Sequence, residues 1–564
     1  MTSARSTKFE IQVLKDQHWV LQEIRGSEEE AKAFADSLIQ RNNQDAVRVV
    51  RDYQRMDGTH SETVLMEKTS GGKSKADISI SPVTEAPLCR KISDFMGLQS
   101  RLTFGRLARK YLDEMVLTPT EIFHSPAEMK RFADKDRLLL NAVDATATLQ
   151  TKLYGEDGKT RRESLYKAWD EGMMKARTAA EAKLPAEHSF AALAGAVKAP
   201  AGDERDYQML SLMARRLMDS RSWLGKLDLL LEWTAEAAAK PFMALIDGVV
   251  ADLMIPAQVL QDLLGYQQNL GAALGQIAAL ALGQAEQAKF APASFAPLNK
   301  LFAEDRLPDA RQVLLSRVAR ELRGGSAMAR NEPTQEYEAF NRLLHTLVGD
   351  TALTGGPSMA EALVRRYAAI IQVGGPNSMR EAVEGLMVAL SDACRRVHLL
   401  LALGDSPLGL PKSLLELLEG QIRGARSITQ WVPARMPPRQ RMEAMTATHA
   451  AVANARGIPE ELRAELAQCL DETLLRYLVD DSVIEKIDKA EDPLAMRAIR
   501  LIKFCGSGVL IQGKSLDMAK ARVLEHLRQP SFEEKFLASL GEPGQAEKQL
   551  RDFHHLLIEN GFAG

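Results

Sequence analysis

Residues 508–515 read GVLIQGKS, with Gly508, four residues, then Gly513, Lys514 and Ser515. That spacing is the letter pattern of a P-loop, in which backbone N–H groups wrap phosphates, the Lys reaches their outer oxygens and the Ser holds Mg²⁺. The chemistry requires a strand to deliver the loop and a helix that starts at the Lys. KSLDMAKARVLEHL has helical spacing, and IRLIKFC at 499–505 is the one candidate strand. Against this, the loop interior is Val509, Leu510, Ile511 and Gln512, bulky side chains that suit a core better than a tight anion nest. No apolar run ending in a Mg²⁺-holding Asp follows Ser515. The same letters fit a corner between helices, with Gly506, Gly508 and Gly513 as turn residues, and that reading is preferred. Nucleotide binding through Gly508, Gly513, Lys514 and Ser515 stands as the alternative.

Other chemistry-bearing residues give no assembled catalytic set. The histidines include no HExxH pair, and Cys394 with His398 would supply only half a metal site from one helix face. No catalytic residue, metal or cofactor is expected. LTGGPSMAEALVRRYA (353–368) is echoed by VGGPNSMREAVEGLM (373–387), each a Gly-Gly-Pro turn opening a helix. Such helix starts present free N–H groups, and Arg365, Arg366 and Arg380 would add charge for an anion, although the turn geometry alone explains the Gly and Pro. IRGARSITQWVPARMPPRQR carries Arg423, Arg426, Arg435, Arg439 and Arg441 around Trp431. It reads as an exposed, Pro-stiffened connection, and Trp431, Arg435 and Arg439 are expected to meet an acidic partner.

The elements that must position these residues fall into two textures. Residues 1–68 alternate short apolar runs with one amphipathic segment. KFEIQVL and HWVLQEI are strands about the turn KDQ, and SEEEAKAFADSLIQRN is a helix opened by the Ser27…Glu30 capping box. DAVRVVRDY and SETVLMEK follow as strands about an Asp57-Gly58 turn, with Arg55 close by. This ββαββ module places Arg48 and Arg51 on its third strand near Tyr53, as partner-binding candidates. It lacks the stacked aromatics of an RNA-reading sheet. Residues 69–89 are Gly-, Ser-, Pro- and Lys-rich, as in a flexible linker. From residue 90 onward the apolar period is helical throughout, punctuated by Gly-Gly and Pro.

The fold class expected is therefore mainly α. A small N-terminal α+β module and a linker precede a long body of antiparallel helices, compatible with a superhelical stack. Lobes are placed at 90–290, 291–430 and 431–564. Of the 564 residues 45% are hydrophobic and only 5% aromatic, an Ala-, Leu- and Met-rich mix that favours helices. The formal net charge of −3 gives no global pull toward nucleic acid, so a nucleic-acid partner is disfavoured. A factor using the Arg-rich 423–441 stretch remains a further alternative. The four scattered cysteines and the absence of a signal-peptide pattern or a long apolar stretch indicate a cytoplasmic protein without a membrane span. The function expected is a regulatory or scaffold protein, not an enzyme, acting by protein–protein contact through its module and helical grooves.

Overall fold

The computed structural model describes residues 7–15, 18–40, 46–54, 60–69, 79–287, 291–329, 333–372, 374–375, 378–540 and 546–562. Asp16 and Gln17 of the KDQ turn, the Asp57-Gly58 turn, Arg55, the middle of the proposed linker and Pro376 lie outside the described residues, as does the side chain of Tyr53.

The front of the chain follows the ββαββ order. Strands β1 (Thr7–Lys15) and β2 (His18–Arg25) pair antiparallel, helix α1 (Glu28–Gln40) follows, and β3 (Ala46–Gln54) and β4 (His60–Thr69) form a second antiparallel pair. β1 also pairs antiparallel with β3, giving one sheet in the order β2-β1-β3-β4. Alternation along the strands turns Phe9, Ile11, Val13, Val47 and Val49 to one face, where Ala31 and Ala35 of α1 complete a small core. Ser27 Oγ accepts from Glu30 N at 3.3 Å, the N-terminal half of the capping box read from the sequence.

Beyond residue 90 every regular element among the described residues is a helix, apart from an isolated bridge between Val348 and Leu353. The chain divides into two compact units. One comprises residues 1–86, 107–115 and 130–165; the other comprises 87–106, 116–129 and 166–564. Within the second, one apolar core runs without interruption from Leu102 to Phe553, across positions 290 and 430. No single helix among the described residues is long and apolar enough to cross a membrane. Residues 237–253 and 257–264 pass together on length and composition but are bent by 94°. Ile246, Val249 and Val250 in that pair are buried, as are Leu274, Ile277 and Leu280 of the most apolar helix, Leu270–Ala281.

The helices that carry buried charge or line grooves in the second unit are as follows. α2 (Pro119–Phe123), α3 (Phe190–Ala196), α4 (Trp223–Ala235), α5 (Met243–Leu253) and α6 (Pro308–Arg323) lie in its first half. α7 (Gly356–Ile370), α8 (Ala393–Gly404), α9 (Pro438–Ala453), α10 (Glu460–Asp480) and α11 (Val483–Ile487) come next. α12 (Leu494–Cys505), α13 (Lys514–Leu527), α14 (Phe532–Leu540) and α15 (Ala546–Glu559) close the chain. The candidate strand 499–505 is thus the end of helix α12. Its buried Ala495, Ala498, Leu501, Ile502 and Cys505 recur at helical spacing, and Pro493 opens the helix at its cap, so period decides over the β-branched residues.

Candidate functional site

Helix α13 does begin at Lys514, as a P-loop helix would, but its N-terminus is already filled. The Asp471 carboxylate on α10 accepts Lys514 N at 2.6 Å and Ser515 N at 3.1 Å. It therefore occupies the place a phosphate would take. A Cβ at Gly513 would meet Asp471 Oδ2 at 2.4 Å, so the glycine is there to admit the carboxylate. Lys514 Nζ pairs with Glu472 at 2.9 Å, and the Ser515 hydroxyl donates to Ile511 O at 3.1 Å. Val509, Leu510 and Ile511 are buried in the apolar core. The loop is delivered by helix α12, and among the described residues no strand lies within the second unit.

The other sequence candidates are dispersed. Gly355 (φ 85°) and Gly375 (φ 93°) take the left-handed conformation expected of the two Gly-Gly turns. Of the nearby arginines only Arg366 turns inward, pairing with Glu336 and donating to Gly324 O and Ser326 O; Arg365 and Arg380 stay exposed, paired along their own helices with Glu361 and Glu384. Cys394 and His398 are buried on α8, where His398 Nε2 lies 3.1 Å from Thr448 Oγ1. Arg48 is held by the module itself. It donates to Gln12 Oε1 at 2.8 Å and stacks 4.5 Å above the Trp19 ring, while strand alternation sends Arg51 to the opposite face. The two do not form one basic patch.

Trp431 corrects the expectation of an exposed aromatic. It is fully buried, and its indole N–H donates to Ala425 O at 2.8 Å. An indole needs only one acceptor to be satisfied in a core, and the turn before it supplies one. Arg435 is exposed, and Arg439 is exposed on α9 with Glu443 at 2.8 Å.

What the structure does bring together is Arg439 with the loop around Ser507. A groove of about 400 Å³ opens among α9, α10, α11, α12 and that loop. Its floor is Met442, Tyr477 and Val509, all buried, and its walls are Val483, Ile487 and Phe504. Arg439 and Lys486 stand at the rim as cations and Asp481 as the one carboxylate. Ser482, between Asp481 and Val483, has φ 47°, a strained conformation for a residue with a side chain. The volume lies in the range of small-ligand and side-chain pockets. Sequence reasoning singled out both the 423–441 and 508–515 stretches. It did not bring them together, because their meeting depends on how α9, α10, α11 and the end of α12 pack.

A second feature escaped the sequence reading. LTPTEIFHS (117–125) is buried from end to end. Thr118 and Glu121 cap α2 reciprocally, and Lys226 Nζ reaches Glu121 Oε1 at 2.5 Å with both side chains out of water. Burial raises the Glu121 pKa and lowers that of Lys226, so desolvation opposes the charge on both. Asp252 accepts Thr120 N at 3.0 Å and is paired with buried Arg101 at 3.3 Å. His124 is pushed down to about 3, by burial above all, and stays neutral. The TPTE spelling was the legible signal of a capped helix; its polarity disguised its burial. The carboxylates and their cationic and N–H partners satisfy one another, while His124 Nδ1 meets Thr120 O at 2.8 Å and its buried Nε2 has no hydrogen-bond partner among the described residues. None of these residues lines the groove described above. The chain matches no protein-family model, no curated protein and no solved structure.

Proposed function

We propose that this chain is a cytoplasmic scaffold or regulatory protein, and that its C-terminal lobe recognises the apolar face of an acidic partner helix. The observation that carries this reading is the groove between α9 and α12. Its floor is apolar and uncharged, and two of its three charged rim residues are cationic. An amphipathic helix presents apolar anchors at i, i+3, i+4 and i+7, the form that such a groove accepts. Arg439 and Lys486 favour acidic residues beside those anchors and disfavour basic ones. Arg435 is exposed three residues before the start of α9 but does not line the groove. The ββαββ module would bring a second contact surface on the same chain.

The test is selection of a displayed library of amphipathic helices on the full chain, with and without Arg439→Glu/Lys486→Glu. Enrichment of Glu and Asp next to apolar anchors is expected, with affinity falling at least tenfold on the charge-reversed chain. Enriched helices with no acidic bias, or binding indifferent to the reversal, would remove this reading.

A further inference from the structure

The apolar side chains that line the groove among α9, α10, α11 and α12 differ in kind. Val483, Ile487 and Val509 are aliphatic, whereas Met442 brings a thioether and Tyr477 and Phe504 bring rings. Met442 and Tyr477 are buried in the floor. Phe504, in the last turn of α12, is half-buried and stands as a wall. The helices that carry these groups are tied together at the groove. Thr446 Oγ1, one turn beyond Met442 on α9, donates to Val509 O at 2.9 Å. Ser507 Oγ donates to Phe504 O at 2.6 Å and closes the end of α12. The wall and the floor are thus held by hydrogen bonds as well as by packing, the condition for a preformed site.

Aromatic side chains elsewhere in this unit pair ring to ring. Phe340 lies 5.7 Å from Tyr367, and Phe536 of α14 lies 4.3 Å from Phe553 of α15. Among the described residues neither Tyr477 nor Phe504 has such a partner. Phe504 therefore offers the groove an unstacked ring. An aliphatic anchor placed there gains only the apolar area it covers. An aromatic anchor gains that area and, in addition, the edge-to-face or offset contact between two rings. The Met442 sulfur adds to the difference, because a thioether favours contact with a ring edge. Arg439 and Lys486 at the rim are cations of the kind that a ring face attracts. We infer that the groove selects an aromatic anchor, Phe or Trp, on its acidic partner helix, and that Phe504 sets this selectivity. The inference rests on the reading of the groove as a helix-binding surface and adds the identity of the anchor.

Two stapled amphipathic helices test it, identical in their Glu residues and outer anchors and differing only in Phe or Leu at the central anchor. Their affinities are measured by calorimetry on the full chain and on Phe504→Leu, which keeps an apolar wall and removes the ring. On the wild type the Phe helix is expected to bind about fivefold tighter than the Leu helix. On Phe504→Leu the two affinities should fall within about twofold of each other, the signature of a coupling lost with the ring. The Leu helix should bind the variant as it binds the wild type, which shows that the groove is still folded. Equal binding of the two helices to the wild type would overturn the aromatic anchor and leave the helix reading standing. A Phe preference undiminished in Phe504→Leu would overturn the role given to Phe504. If neither helix binds, or if binding survives Arg439→Glu/Lys486→Glu, the helix reading falls and this inference falls with it.

Discussion

Residue by residue, a subset of the second unit's charges sits where water cannot reach it, and the consequences run in opposite directions. Lys226 and Glu121 are paired with side chains almost wholly buried. Removing one partner of such a pair strands the other, which costs about 3–5 kcal/mol. Lys226→Met alone is expected to cost that much, and adding Glu121→Gln should restore part of it. Strict additivity in urea unfolding would count against a coupled pair. Asp247 shows a different balance. Burial lifts its carboxyl to about 6, although Ala310 N and Asp309 N donate to it at 3.0 and 2.7 Å and pull the other way. Its folded pKa exceeds the unfolded one, so the folded chain holds a proton there between about pH 4 and 6 that the unfolded chain releases. That contribution favours folding in acid and is lost as pH rises through 6. His398, lowered to about 4 by burial, pulls oppositely: its contribution is present above about 6.5 and is lost as pH falls toward 4. The comparison with Asp247→Asn isolates the aspartate. Wild-type stability minus that of the variant is expected to drop by about 1–2 kcal/mol from pH 4.5 to 7.5. A flat or rising difference would refute the assignment.

Among the helices, one device recurs: a carboxylate from a distant helix or its end caps the N-terminal amides of another. Asp247 of α5 caps α6, Asp471 of α10 caps α13, and Asp252 of α5 takes Thr120 N of α2. Glu236, which follows α4, accepts Phe190 N and Ala191 N of α3 at 2.7 and 2.9 Å. Each cap satisfies orphan N–H groups and sets an anion against the positive end of the helix dipole, while fixing one helix against its neighbour. The device accounts for the P-loop letters at 508–515: a helix start that accepts a carboxylate needs the same small residue that one accepting a phosphate needs. Asp471→Ala is expected to cost about 1–2 kcal/mol of stability, as other lost caps do. Mg-ATP and Mg-GTP should leave the unfolding midpoint of the wild-type chain where it is, and Lys514→Ala should not change that response. A nucleotide-dependent rise that Lys514→Ala abolishes would reverse this account and reinstate the alternative. Helices of this kind were legible as helices, because their apolar period is local. Their caps were not, because Asp247 and Ala310 stand 63 residues apart and Asp471 and Lys514 stand 43 apart. The same distance explains Trp431: its stretch reads as an exposed connection, and its burial depends on helices remote in sequence, α8 and α10.

At the scale of the molecule, the sequence conveyed the change of texture near residue 70, from period two to period 3.6, and with it a β-containing module ahead of a helical body. It did not convey how far one core extends. Gly and Pro punctuation ends helices without ending a core, and buried residues on both sides of 290 and 430 belong to one apolar cluster. The burial pattern leads to a difference in local stability. The module's own apolar cluster comprises Phe9, Ile11, Val13, Ala31, Ala35, Val47 and Val49, two of them alanines. The core of the second unit extends over more than four hundred residues of chain, from Leu102 to Phe553. Opening free energy follows the apolar surface that must be exposed to open, so a seven-residue cluster sets a lower ceiling than a continuous core. Native-state hydrogen exchange with added guanidinium is expected to show the β1 and β3 amides of Ile11, Val13, Val47 and Val49 exchanging through a smaller opening. The amides of Val249, Val250 and Ala251 in α5 should require a larger one. The two sets should converge only near the denaturant concentration of global unfolding. If they share one free energy and one denaturant slope from the outset, the sheet draws its stability from contacts beyond its own cluster, and the module is no independent folding unit.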